Sequence, residues 1–109
     1  MNADLILDAL RELSDADYQE RVWLGRSTTE MSSLTEAASA LFDDSGLDAV
    51  LQNGQRAFSP VMDAQLRELQ SLLRWSLDQE AQYGLRSLFA SDQWRLVREK
   101  SDSLYRQLM

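Results

Sequence analysis

The sequence predicts an all-α fold: a single domain over residues 1–109, a bundle of five to seven helices with no significant β-sheet. Three observations carry that expectation. Apolar residues recur at spacings of three and four along almost the whole chain, the period of helices that bury one face. The single proline, Pro60, follows a capping serine, and there is no alternating Val/Ile-rich run that would read as a strand. A chain of 109 residues, 44% of them apolar, can fill one core but not two.

Taken in order, Asn2 can cap a first helix whose apolar stripe is Leu5, Ala9, Leu10 and Leu13, ending near Ser14. Ser14 or Asp15 then offers a new cap for a short helix with Tyr18, Val22 and Trp23 on one side, stopped at Gly25. The polar "RSTTEMSS" reads as a loop leading to the next cap rather than as a phosphorylation cluster. Ser33 and Glu36 match a capping box, opening a helix with Leu34, Ala37, Ala38, Leu41 and Phe42 inward. After the turn "DDSG" comes a helix of one or two turns with Leu47, Val50 and Leu51 inward, ended by Asn53-Gly54. Ser59, Pro60 and Asp63 mark the start of a long helix, Asp63 opposing the macrodipole. Its stripe is Leu66, Leu69, Leu73 and Leu77, widened by Met62 and Leu72, and Gly84 ends or kinks it. Leu85, Leu88 and Phe89 form a short stretch. Ser91 caps a last helix with Trp94, Val97, Leu104 and Leu108 inward and Arg95, Arg98 and Lys100 largely outward.

The charge is unevenly divided. Residues 1–54 carry eleven acidic groups against Arg11, Arg21 and Arg26, a net of minus eight, whereas residues 55–109 carry seven acidic and eight basic, a net of plus one. A field of that sign repels nucleic-acid phosphate and anionic lipid and attracts basic partners. Neither direct nucleic-acid binding nor a membrane span is therefore expected, and the N-terminus reads as a cytoplasmic start, lacking a basic or long apolar segment. Cysteine and histidine are both absent, which removes thiol chemistry, the commonest ligands for transition metals and the usual general base near neutral pH. The chain is expected not to be an enzyme and to need no cofactor.

The candidate chemistry centres on Asp43, Asp44 and Asp48. As a calcium loop started at Asp43, the register puts Leu47 at the fifth position, Asp48 at the sixth and Gly54 at the twelfth, where a ligand, a glycine and a glutamate are required. The match fails. Adjacent aspartates on one element also flank no bond to be broken. Asp44 or Ser45 can instead cap the helix that follows, which leaves at least one carboxylate to face solvent or a partner. The widely spaced glycines make no phosphate cradle. Trp23, Phe42, Trp94 and Tyr105 lie at helical spacing beside leucines and read as core, while Trp75 lies off the centre of its stripe and suits an interface anchor.

The stretches "YQERVWLG", "SSLTEAASALFDDSGLDAVLQNG" and "FSPVMDAQLRELQSLL", over about residues 18 to 73, resemble a widespread family of small acidic uncharacterised bacterial proteins. Proteins of this kind often look like immunity proteins of bacterial toxin systems, so the resemblance implies a binding task rather than catalysis. Two expectations follow. The first is an interaction protein, most concretely an immunity protein that blocks a basic toxin such as a nuclease. It would bind through Asp43, Asp44, Asp48, Glu30, Asp15, Asp17 and Glu20, with Trp75 as apolar anchor. The second is a structural or regulatory module that forms a homodimer through its leucine stripes, its acidity serving solubility only.

Overall fold

The computed structural model describes residues 1–25 and 32–109. Asn2 opens α1 (Ala3–Ser14), its Oδ1 accepting from the N–H groups of Asp4 and Leu5 at 3.1 and 3.2 Å. The buried face of α1 is Ile6, Ala9, Leu10 and Leu13; Leu5 is only half-buried, and Ile6 takes the central place expected of it. Asp15 rather than Ser14 caps α2 (Ala16–Tyr18), accepting from Tyr18 N–H at 3.0 Å. This helix does not end there. It widens into a π-helical turn over Gln19–Trp23, closed by Leu24 N–H donating to the Gln19 carbonyl at 3.3 Å.

The same construction follows in the next segment. Ser33 Oγ accepts from Glu36 N–H at 3.1 Å, starting α3 (Leu34–Ser39) as the capping-box pattern predicts. A second π-helical turn, Ala40–Asp44, extends it, with Ser45 N–H donating to the Ala40 carbonyl at 3.2 Å. Asp43 and Asp44 thus stand in the last turn of a helix and not in the loop after it. The choice between Asp44 and Ser45 as starter of α4 (Leu47–Gln52) falls to Ser45: its buried Oγ accepts from Leu47 N–H at 3.2 Å and donates back to the Leu41 carbonyl. Gly46 turns the chain between them at φ +83, with the Met1 backbone 3.6 Å from where a Cβ would stand, so both conformation and space favour glycine.

Ser59 caps α5 (Pro60–Tyr83) through Met62 N–H at 3.1 Å. Asp63 does more than oppose the macrodipole. Only 3% exposed, it accepts from the N–H groups of Ala57 and Phe58 at 2.9 and 3.0 Å, tying the preceding loop to the helix start. Gly84, at φ +87 and ψ 166, separates α5 from α6 (Leu85–Phe89), a conformation essentially confined to glycine. Ser91 then caps α7 (Asp92–Leu108) through Trp94 N–H at 3.1 Å.

Among the described residues there are seven α-helices and two π-helical turns, and no strand. α7 packs most extensively against α1 and next against α5, and the second π turn packs against α1. The core runs between them through Ile6, Leu10, Leu13, Leu41, Leu66, Leu69, Trp94 and Leu104. Buried Ser76 and Ser101 interrupt the leucine stripes of α5 and α7; small side chains there let neighbouring helices approach, and Ser76 returns its hydroxyl proton to the Leu72 carbonyl at 2.7 Å. The radius of gyration, 13.4 Å, is close to the roughly 13 Å of a compact 100-residue domain. No helix among the described residues is long and apolar enough to cross a membrane.

Candidate functional site

The expected acidic surface separates into two groups, set at opposite ends of α1. At the C-terminal end, the junction with α2 gathers Asp8, Glu12, Asp15 and Asp17 around Arg11, and α7 adds Asp102. Arg11 lies 3.9 Å from Asp8, and both side chains are about two-thirds exposed, so their pairing is weak. Glu12 is engaged internally, accepting from Trp23 Nε1 at 2.9 Å and from the Ser32 hydroxyl. Asp102 pairs with Arg106 at 3.1 Å. Asp15, although exposed, is the cap of α2, so one of the expected binding residues also has a structural duty.

Asp43 and Asp44 lie at the other end. Asn2 N–H donates to the Ser45 carbonyl at 2.7 Å, which fixes the start of α1 beside the end of α3. α1 itself, twelve residues and about 18 Å of helix, runs between the α2 junction and the end of α3. Both aspartates are exposed, and among the described residues neither side chain makes a hydrogen bond or ion pair. Asp43 borders a groove of about 160 Å³ between α3 and α5, with Asp48, Gln70 and Arg74 on its walls. Asp48 is held there: it accepts from Gln52 Nε2 at 2.8 Å and Gln70 Nε2 at 2.7 Å, joining α4 to α5. Trp75 is half-buried against the core and is not among the residues lining that groove. Glu30 lies outside the described residues. No three carboxylates among the described residues converge as a metal ion would need.

Glu20 belongs to neither acidic group. It lines a cleft of about 280 Å³ with Ala16, Leu24, Arg86, Phe89 and Arg98. Behind this cleft is an arrangement that the sequence reading missed. Gln19, fully buried in the first π turn, uses its whole side-chain hydrogen-bonding capacity. Its Nε2 donates to the Glu12 and Leu13 carbonyls at 2.9 and 2.8 Å, and its Oε1 accepts from Trp94 Nε1 at 3.2 Å and Arg98 Nε at 2.9 Å. Arg98 is therefore not an outward residue. Its guanidinium lies 5.2 Å from the Phe89 ring centroid and 5.9 Å from that of Trp94, and Trp23 completes an aromatic cluster with ring centroids 5.6–6.4 Å apart. Burial lowers the Arg98 pKa from its ordinary value, while the negative Glu20 acts in the opposite direction. One available signal was register: Arg98 falls four residues after buried Trp94, on the same helical face.

Glu80 is a second carboxylate with a distinctive setting. Its Oε2 is buried without a hydrogen-bond partner, and desolvation raises its pKa above the ordinary glutamate value.

Searches against protein families, characterised proteins and solved structures return no match for this chain.

Proposed function

We propose that this chain is a non-enzymatic acidic interaction protein, most concretely a bacterial immunity protein that acts in the cytoplasm and blocks a basic toxin, for example a nuclease, by covering its cationic cleft. The observation that carries this reading is the placement of Asp43 and Asp44. Carboxylates in the last turn of a helix face the negative end of the macrodipole, an unfavourable setting worth about 0.3–1 kcal/mol each. No contact inside the described protein compensates them. Their use lies outside the fold, and a basic surface is what they would stabilise on contact. The carboxylates around Arg11 add to the same field. The resemblance carried by "LTEAASALFDDSGL" points the same way.

Co-expression with the product of the adjacent reading frame tests this reading. If that product arrests growth, the intact chain should restore it and bind it with an association rate that falls as salt rises. Asp43→Lys with Asp44→Lys should lose protection while its circular dichroism stays unchanged. A charge-reversed chain that protects as well as the original, or binding indifferent to salt, would remove the electrostatic interface.

A further inference from the structure

We infer that the cleft bordered by Glu20, Arg86 and Arg98 binds a small free carboxylic acid carrying a short apolar group. Several arginines, Arg56, Arg67 and Arg74 among them, make no ion pair among the described residues, and Arg98 is set apart from these by how it is held. Arg86 and Arg98 likewise make no ion pair within 4 Å among the described residues, and the Arg86 side chain makes no hydrogen bond there. Arg98 is nevertheless held in place. Its Nε is committed to Gln19, and its guanidinium carbon lies 5.2 and 5.9 Å from the Phe89 and Trp94 ring centroids. Four N–H donors on its two terminal nitrogens remain, in the fork that matches a carboxylate in two parallel hydrogen bonds. Preorganisation of this kind reduces the ordering cost of binding, because the guanidinium plane is already oriented.

Charge selects the ligand. Among the described residues that line it, Arg86 and Arg98 with Glu20 give the cleft a formal plus one. A monoanion neutralises it, whereas a phosphate dianion would be left with excess charge beside the Glu20 carboxylate. Ala16, Leu24 and Phe89 supply apolar wall for a hydrocarbon group next to the carboxylate. The volume, about 280 Å³, is at the lower limit of small-molecule pockets and suits an acid of modest size rather than a chain segment.

The test is a titration of the intact, isotopically labelled chain with 3-phenylpropionate, followed by ¹H–¹⁵N spectra. The Arg98 Nε–H and the Trp94 indole N–H both point at Gln19 Oε1 and report from beside the cleft, and the Trp75 indole serves as a remote control. Saturable shifts at Arg98 and Trp94 with Trp75 unmoved are expected. Neutral 3-phenylpropanamide should produce none, and inorganic phosphate should bind more weakly. Arg86→Gln, at an exposed position that carries no packing, should weaken 3-phenylpropionate by about tenfold, the loss of one charge-assisted hydrogen bond, with unfolding unchanged. No saturable shift with 3-phenylpropionate, equal shifts with the amide, phosphate binding as tightly, or undiminished binding by Arg86→Gln would each overturn the assignment. None of these outcomes depends on the proposed acidic interface, since Asp43 and Asp44 lie outside the cleft.

Discussion

The π turn at Gln19–Trp23 and the π turn at Ala40–Asp44 each extend a short α-helix by five residues through the same backbone device, and they put polar side chains to opposite uses. In the first, the widened turn carries a glutamine into the interior, where it joins α1 to α7. In the second, adjacent Leu41 and Phe42 are both buried, and the next two residues, Asp43 and Asp44, are both exposed. The difference lies in what the polar groups meet. Gln19 meets four protein partners, whereas the aspartate side chains meet none among the described residues. Polar groups in the interior are coupled to one another and costly to disturb; those on the surface are available at little cost to the fold.

The comparison breaks most visibly at Gln19. Gln19→Ala strands the Leu13 carbonyl, the Trp94 indole N–H and the Arg98 Nε–H together, leaving the Glu12 carbonyl with the Asp15 N–H, and should cost about 3 kcal/mol, read as a lower urea midpoint with a weakened near-ultraviolet tryptophan signal. A loss below about 1 kcal/mol would mean that water replaces the amide there. A smaller effect is expected at the exit of the second π turn. Ser45→Ala removes both the hydroxyl bond to the Leu41 carbonyl and the acceptor for Leu47 N–H, and should cost about 1–2 kcal/mol in the same assay. The smallest effect has the opposite sign. Replacing Asp43 and Asp44 by lysine should stabilise the domain slightly, by about 0.3–1 kcal/mol per residue at low salt, because a cation suits a helix C-terminus. A clear destabilisation would show that the pair has a role inside the fold.

The helix starts were readable because a cap is a local event. Asn2, Ser33, Ser59 and Ser91 each bond an N–H two or three residues on, and spacing alone reveals such a pair. The leucine stripes were readable for the same reason. The π turns were not, since one added residue in a helix of ordinary composition leaves no mark in the periodicity. Arg98 was misplaced and Gln19 went unremarked because polarity was taken as a sign of exposure, and the bond between them joins residues 79 positions apart. Asp48 and Asp63 show the same limit at the candidate surface. As letters they equal Asp43, but Gln70 occupies the first and the Ala57 and Phe58 amides occupy the second.

One consequence concerns α1 itself. A helix of 12 residues is marginal in water when isolated and ordinarily loosens from its ends inward. Here the Asn2 amide is tethered to the Ser45 carbonyl at one end, and Gln19 holds the Glu12 and Leu13 carbonyls at the other. Fraying at either end must break a bond to a different part of the chain. The first helix is therefore not a detachable arm. It should open only together with the α3–α4 corner and the aromatic seam on α7, so that the two ends of the sequence unfold as one cooperative unit.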